Sequence, residues 1–222
     1  MNPRINSITV VGIDVGGYSK GFHAVALTGG VYREHKSFKD IAELVCWSVH
    51  ERGAQMIAVD APCGWSTDGR ARPAERELMQ KKIWCFATPS EKAAKERKER
   101  AARGETTNHF GWMLRGAELY RALKSTHPVL GQRPRRGDFC TFETFPHAIT
   151  WHLLCGHADA KRKRSQRSHL LREAGIAFDA KVGIDFIDAA LCALTAHKAS
   201  SGEPLEDYGE SETGLIIVPA QQ

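Results

Sequence analysis

The sequence predicts an α/β fold in which helices flank a mixed sheet of five strands. Short apolar stretches rich in β-branched residues are separated by glycine turns near the N-terminus, which is typical of antiparallel strands. A helical pattern then leads into another buried strand, and such a connection places that strand parallel to the first. Both buried strands end in a single aspartate before a turn, which indicates a shared site at one edge of the sheet.

Length and composition predict one globular domain, residues 1–222, with a helical insertion at roughly residues 66–137. The chain is 42% hydrophobic and 26% charged, and no apolar run is long enough to span a membrane. Because no signal-peptide core is evident either, the expected location is the cytoplasm. The six cysteines include no C-x-x-C pair, which argues against a zinc knuckle. The net charge of +5 permits a polyanionic partner without demonstrating one.

The first predicted strand lies within Ile8–Phe22 and ends at Asp14. Its apolar residues suit a strand that is buried on both faces, and Gly16 and Gly17 follow the acid. A carboxylate at the end of a buried strand is costly to ionise unless a cation, a hydrogen-bond donor or water meets it. Glycine lets the backbone turn tightly and lets a ligand approach. This stretch therefore indicates either a metal or phosphate site or an ordinary strand-to-turn boundary.

The next elements place a second acid beside the first. Gly21–Thr28 and Val31–Ser37 have the pattern of a hairpin, so the first three strands form an antiparallel meander. After one helix, Ala54–Ala61 is a second buried strand, which carries Asp60 at its end. If this fourth strand lies parallel to and beside the first, Asp14 and Asp60 project from the same edge of the sheet and could share a cation.

The long stretch before the fifth strand reads as a mostly helical insertion. Pro73–Lys82 has proline at a favourable first helical position, and Trp112–Leu123 has an ordinary apolar face. Between them, Glu91–Arg103 has almost no apolar residue besides alanine. It predicts either a solvated helix or a basic flap over a nucleic-acid channel. The loop that follows carries guanidinium groups suited to phosphate contacts or to a solvated turn: Arg133, Arg135 and Arg136.

The C-terminal third of the chain adds further acids. The fifth strand, Phe139–Phe145, carries Glu143 near its end, and Gly183–Ala199 is a helix with an apolar stripe. Asp185 and Asp188 lie beside that stripe, where they either complement the helix dipole or hold a divalent cation. A basic cluster precedes this helix and could bind a phosphate backbone or simply face solvent: Lys161, Arg162, Lys163 and Arg164.

The remaining C-terminal residues are not expected to join the site. Leu215–Pro219 reads as a final edge strand, and the acidic stretch Glu203–Glu212 before it reads as a linker. His147, His152 and His157 are spaced by five residues, so they do not share a helical face as zinc ligands would. We expect these histidines to be structural.

The candidate site therefore consists of oxygen donors at the ends of predicted elements. No histidine or cysteine occupies a matching position. Such donor sets select hard cations, Mg²⁺ or Mn²⁺ rather than Zn²⁺. The candidate metal ligands and catalytic residues are Asp14, Asp60, Glu143, Asp185 and Asp188.

The order of these motifs resembles the ribonuclease H-like superfamily, and the D-x-x-D helix is similar to that of its Holliday-junction resolvase branch. Within the superfamily, the chain resembles the DUF429 family of predicted nucleases. The matching segments, in order, are Gly12-Ile13-Asp14 with Gly16 and Gly17, Val59-Asp60-Ala61-Pro62, Glu143 through Pro146, Asp185 through Ala189, and Ile216–Pro219.

This resemblance implies a ribonuclease H-like fold and a nuclease that hydrolyses phosphodiester bonds with two Mg²⁺ or Mn²⁺ ions. Asp14 would bridge both ions. Asp60 and Glu143 would hold one of them. Asp185 and Asp188 would hold the other. Basic side chains would contact the phosphates of a nucleic acid and position the strand: Lys20, Arg133, Arg135, Arg136, Lys161, Arg162, Lys163 and Arg164.

Two other interpretations stay open. The glycine-rich residues 12–17 also resemble the first phosphate loop of actin-like sugar kinases and ATPases, which build their nucleotide cleft between two such domains. The second interpretation is a nucleic-acid-binding module that has the same fold but no catalytic activity. Nucleotide-dependent stabilisation without nuclease activity would indicate the phosphotransferase. Salt-dependent binding without metal-dependent turnover would indicate the module.

Overall fold

The computed structural model describes residues 7–179 and 181–221. Within them, seven strands form one mixed sheet. The strands are β1 (Thr9–Val15), β2 (Phe22–Thr28), β3 (Val31–Phe38), β4 (Met56–Asp60), β5 (Cys140–Glu143), β6 (Leu205–Glu210) and β7 (Gly214–Pro219). Their order across the sheet is β3-β2-β1-β4-β5-β7-β6.

The first five strands have the predicted mixed arrangement. β1, β2 and β3 form the antiparallel meander, and β4 pairs parallel to β1 with Asp14 directly opposite Asp60. β5 in turn pairs parallel to β4. The parallel pairing follows from the helical crossover between β1–β3 and β4, which returns the chain in the same direction. The ribonuclease H-like sheet that the resemblance implies is confirmed in this half of the sheet.

The strand count was wrong at the C-terminal end of the chain. The stretch Glu203–Glu212, predicted to be a linker, contains β6, and β7 lies between β5 and β6 rather than at the edge. The β6–β7 hairpin pairs Leu205 with Pro219, and Tyr208 is buried. The acids of β6 hid the strand because an edge strand has one solvated side, where charged side chains are common.

Seven α-helices flank the sheet in the described ranges. A π-helical segment, Cys46–Glu51, continues the first of them, and a 3₁₀ turn, Ala160–Arg162, precedes the sixth. Three of the helices lie between β4 and β5, where the sequence predicts the insertion. The helices are α1 (Ile41–Val45), α2 (Pro73–Gln80), α3 (Glu91–Ala102), α4 (Gly111–Leu123), α5 (Pro146–Leu153), α6 (Lys163–Glu173) and α7 (Ile184–Ser201).

The hydrophobic core has two parts, one on each face of the sheet. On one face, α1, the π-helical segment and α4 cover side chains such as Val11 and Ile13 of β1. On the other face, α2, α5, α6 and α7 cover Val10 and the alternate residues of the neighbouring strands. α3 contributes one buried residue, Ala94, as expected for a solvated helix. No helix in the described part of the chain is long and apolar enough to cross a membrane.

Gly12 allows α7 to pack directly against β1. A Cβ atom built on Gly12 would lie 2.1 Å from the backbone oxygen of Ala189 and 2.1 Å from the backbone nitrogen of Ala193. Successive strand residues point to opposite faces, so Gly12 and Asp14 both face α7. The absence of a side chain at Gly12 therefore brings the N-terminal turn of α7 close to Asp14.

Replacing Gly12 by alanine is expected to destabilise the protein by about 3 kcal/mol or more, because backbone atoms of α7 cannot move aside cheaply. Urea unfolding measures the loss. The matched control is Gly17→Ala, since a Cβ at Gly17 meets nothing within 4 Å. Equal stability of the two variants would contradict the close packing of α7 on β1.

Candidate metal centre

Asp14 and Asp60 form the centre of the site. They end adjacent parallel strands, β1 and β4, and lie directly opposite each other in the register. Asp14 lies two residues after Gly12, and Asp60 two residues after Ala58. Because residues two apart in a strand point to the same face, both side chains point to the face of the sheet that α7 covers. The prediction that these two acids share one edge of the sheet is confirmed.

Two further acids come from the start of α7. Asp185 lies in its first turn and Asp188 one turn later, so both project from the same side of the helix. Their side chains are 27% and 12% exposed, respectively. The positive end of the helix dipole partly offsets the cost of placing acids there. Three elements that are distant in the sequence therefore bring four carboxylates together.

Burial and mutual repulsion raise the pKa values of three of these acids. Burial raises the pKa of Asp60 well above its usual range, and the charges of Asp14 and Asp188 raise it further. Burial also raises the pKa of Asp14; proximity to His23 opposes this effect, and the charge of Asp185 adds to it. Burial raises the pKa of Asp188 to about 6, although Arg167 opposes the shift. A divalent cation would relieve these costs by replacing the protons.

Two cations already contact the helix acids. Lys20, in the turn between β1 and β2, donates to Asp185 at 3.2 and 3.3 Å. Its side chain is 62% exposed, so this ion pair contributes little to stability and is easily displaced. Arg167 of α6 is buried and donates through an Nη1 hydrogen to Asp188 at 2.5 Å. This second pair is costly to separate, because leaving either charge unpaired in the interior is unfavourable.

His23 belongs to the site, although the sequence analysis did not include it. It faces Asp14 across the β1–β2 pair, and its Nδ1 atom lies 3.6 Å from Asp14 Oδ2, too far for a hydrogen bond. This Nδ1 is buried and has no hydrogen-bond partner among residues 7–179 and 181–221. The predicted hairpin could have indicated His23, since its register pairs Asp14 with a residue near the start of the second strand.

The donor set fits a divalent cation. One ligand atom each from Asp14, His23 and Asp185 lie within 4.8 Å of one another, which is the spacing of a shared coordination sphere. The unpartnered imidazole nitrogen is a buried polar atom that an ion or an ion-bound water would satisfy. Carboxylates suit Mg²⁺ and Mn²⁺, and an imidazole nitrogen favours Mn²⁺ of the two.

Glu143 lies in a different network. Glu143 pairs with Val59 in the register and not with Asp60. Because successive strand residues point to opposite faces, the Glu143 side chain starts on the face of the sheet opposite to that of Asp60. Its oxygens accept hydrogen bonds from Arg72 at 2.6 and 2.8 Å and from the backbone N–H of Cys63 at 2.9 Å. Glu143 lines the same small cavity as Asp60, and its charge helps to raise the pKa of Asp60. Its oxygens are nevertheless occupied by Arg72 and by the backbone N–H of Cys63. Its role as a metal ligand stays a prediction.

Arg72 is the centre of that network and was also missed by the sequence analysis. Its side chain is fully buried, and its Nε donates to Glu75 at 2.7 Å while Nη1 and Nη2 donate to Glu143. Glu75 in turn accepts from the Thr88 hydroxyl at 2.6 Å. A lone arginine before Pro73 carries no sequence signal that distinguishes it from a surface residue. The network links the loop after β4, α2 and β5.

The predicted phosphate-binding residues are spread over three places. Lys20 lies in the site. The arginine loop lies beside the edge strand β6, where Arg133 contacts Asp207 and the carbonyl of Leu205 at 2.8 Å. Arg135 and Arg136 are exposed in the same loop. The other basic residues are exposed around the start of α6, near Arg167: Lys161, Arg162, Lys163 and Arg164.

The antiparallel meander, the parallel strands that follow it and the acids at their carboxyl ends define an α/β protein of ribonuclease H-like fold. The chain belongs to the family described as "Protein of unknown function (DUF429)", whose model matches residues 12–213. The family resemblance of the motifs is thereby confirmed.

Among solved structures, RuvC of Thermus thermophilus matches at 16% sequence identity and a TM-score of 0.46. The match covers 87% of this chain and 96% of that chain. A comparison with curated proteins found no match.

Proposed function

We propose that this protein is a nuclease that hydrolyses phosphodiester bonds of a nucleic acid and requires Mg²⁺ or Mn²⁺. The observation that supports this proposal best is the convergence of four carboxylates at one edge of the sheet. They come from β1, β4 and α7, and burial raises the pKa values of three of them, which makes these carboxylates costly to ionise without a cation. The proposed ligands are Asp14, Asp60, Asp185 and Asp188, with His23 beside them.

Each residue of the proposed site has its own role in binding metal or substrate. Asp14 and Asp60 provide rigid oxygen donors because both end buried strands. Asp185 and Asp188 add donors from the helix, and Arg167 fixes the orientation of Asp188. When bound, two divalent ions would activate water and neutralise charge on the scissile phosphate. Lys20 is free to leave Asp185 and contact a phosphate oxygen, since its side chain is mostly exposed.

A second candidate is a nucleic-acid-binding module without catalytic activity. The ion pairs of three predicted ligands favour it: Asp185 contacts Lys20, Asp188 contacts Arg167 and Glu143 contacts Arg72. A bound metal must compete with these cations. Metal binding then depends on whether the carboxylate oxygens that these cations leave free can coordinate the ion. An assay of cleavage distinguishes the nuclease from the binding module.

The test is a cleavage assay on labelled single-stranded, double-stranded and branched DNA and RNA, with Mg²⁺, Mn²⁺ or a chelator. We expect cleavage of at least one substrate with Mn²⁺ and none with the chelator. Binding of these substrates without cleavage in any metal would identify the non-catalytic module instead. Stabilisation by ATP with neither result would identify the phosphotransferase.

The same assay should depend strongly on pH. The ligands must lose their protons to bind a metal, and the pKa of Asp188 is about 6. Without metal, the folded state loses stability as the pH rises from the ordinary pKa of an aspartate to the raised pKa values of the folded state. The reason is that the buried carboxylates ionise less readily in the folded state than in the unfolded state. Added Mn²⁺ should therefore raise Tm little at about pH 5 and clearly at about pH 8, with cleavage following the same trend. A Tm shift that is equal at both pH values would contradict the site.

A further inference from the structure

A groove with aromatic and basic walls lies next to the carboxylates. Its volume is about 750 Å³, and it lies between the segment after α2 and the residues around the start of α6. Sites for small organic ligands span about 300–1,000 Å³, so a nucleotide fits in it. Trp84 and Phe86 line the groove and are 75% and 66% exposed. Exposing two large aromatic side chains is unfavourable unless they meet a partner.

The aromatic segment is held firmly in place. Ile83, immediately before Trp84, is fully buried, and its backbone N–H donates to Leu78 at 2.9 Å. Thr88, two residues after Phe86, is buried and donates to Glu75 at 2.6 Å. The two aromatic side chains are thus presented to solvent by a segment that is anchored at both ends. A rigid stacking surface loses little conformational entropy when a planar ligand binds.

The groove adjoins the carboxylate site. Phe86 and Phe145 line both this groove and a small cavity of about 50 Å³ that contains Asp60. Arg167 lines the groove and holds Asp188. Its Nε atom is buried and has no hydrogen-bond partner in the described ranges. A chain that lies in the groove would therefore pass close to Asp60 and Asp188.

The charge of the groove suits a polyanion. Three exposed lysines line it, Lys81, Lys82 and Lys163, of which Lys81 contacts Glu206 at 3.2 Å. The groove has one acid, Asp159, which accepts from the backbone N–H of Lys161 at 2.8 Å as a helix cap. Alternating aromatic and cationic groups are the surface that single-stranded nucleic acids recognise, because bases stack on the rings while phosphates meet the cations.

We propose that this groove binds unpaired nucleotides, with bases stacked on Trp84 and Phe86 and with phosphates beside Lys82 and Lys163. The inference rests on the proposed function in one respect: in a nuclease, binding in the groove would deliver a single strand to the carboxylates. It adds a preference: the protein favours substrates with a single-stranded segment. A paired duplex cannot use the stacking surface, because its bases are already stacked on one another.

The test measures binding with a chelator present, so that no cleavage occurs. Fluorescence anisotropy follows a labelled oligothymidylate of about 20 nucleotides and a duplex of the same length. We expect the wild type to bind the single strand more tightly. Trp84→Ala should weaken single-strand binding by about tenfold and duplex binding by less than about twofold. Lys82→Glu should weaken the binding of both and reduce its dependence on salt.

Matched controls separate stacking from general surface effects. Phe139→Ala removes an aromatic side chain of similar exposure, 62%, from another part of the surface. Lys92→Glu reverses a charge on the solvated helix α3, where the lysine side chain is 87% exposed. Neither control should change the affinity for the single strand by more than about twofold. Thermal unfolding of every variant checks that the fold is retained.

The outcomes separate this inference from the proposed function. If Trp84→Ala behaves like Phe139→Ala, or weakens both substrates equally, the groove does not stack bases and serves another partner, so the inference is overturned. The same holds if the wild type binds no single strand. Selective loss of single-strand binding supports the groove even where no cleavage is found, whereas cleavage without such loss supports the nuclease alone.

Discussion

Asp14→Asn is expected to yield a folded protein that has lost metal-dependent cleavage. Asp14 lies at the centre of the carboxylates, opposite Asp60 in the sheet and 3.6 Å from His23. Asparagine keeps the size of the side chain but removes the negative charge that binds a cation. Loss of one such electrostatic partner reduces turnover by about a hundredfold to a thousandfold. Initial rates with Mn²⁺ at about pH 8 measure the effect.

The stability of this variant should change in the opposite direction. Burial raises the pKa of Asp14, so its ionised form at neutral pH disfavours the folded state. Asparagine removes that cost, and we expect the metal-free variant to unfold at a higher temperature than the metal-free wild type. The rise in Tm that Mn²⁺ produces in the wild type should be lost. Gain of stability together with loss of activity is characteristic of a strained functional site.

Asp40→Asn is the matched control for this experiment. Asp40 caps α1 by accepting a hydrogen bond from the backbone N–H of Glu43 at 3.0 Å, and asparagine caps helices equally well. This control should keep both the activity and the metal response of the wild type. Cleavage by Asp14→Asn at the wild-type rate would exclude the proposed mechanism.

Arg72→Met is expected to cause the largest loss of stability of any single substitution considered. The guanidinium is fully buried between Glu75 and Glu143. Burial alone would lower the pKa of Arg72, but the two carboxylates raise it, so the group stays charged. Methionine would leave both acids without their partner. Removing one member of a buried ion pair costs about 3–5 kcal/mol.

The control for this prediction is Arg76→Met on α2, the helix that Arg72 immediately precedes. Arg76 is 50% exposed and pairs with Asp68 at 3.3 Å, and an exposed pair of this kind contributes less than about 1 kcal/mol. Urea unfolding compares the two. Equal losses would contradict a structural role for Arg72.

A companion variant assigns the role of Glu143. If Glu143 only balances Arg72, Glu143→Gln should destabilise the protein, and the double substitution Arg72→Met with Glu143→Gln should recover part of the loss. The metal-induced rise in Tm would then persist in Glu143→Gln. If Glu143 is a metal ligand, as the sequence predicts, that rise should be lost together with the activity.

The sequence was sufficient for the part of the site that depends on strand order. Asp14 and Asp60 end buried strands, and the crossover rule makes those strands parallel neighbours, so their meeting could be derived before the structure was known. The position of Asp185 and Asp188 on one side of a helix also follows from periodicity. Their distance from Asp14 does not, because it depends on how closely α7 packs on Gly12.

Other parts of the site arise from contacts between residues far apart in the chain. Arg167 meets Asp188 through the packing of α6 against α7, and Arg72 meets Glu143 across the loop after β4. Neither arginine differs in sequence from the many exposed ones. The β6 strand was missed for a related reason: its acids resemble a linker until β7 pairs with it.

By itself, the sequence determined which residues end the strands, which face of α7 is apolar and which residues can offer oxygen to a cation. These properties are local, since backbone geometry sets the alternation of a strand and the periodicity of a helix. The tertiary structure alone decided which carboxylates meet, which are paired with arginine and where Trp84 and Phe86 lie relative to them. Those outcomes depend on side-chain packing between distant segments, and local patterns contain no information about such distances.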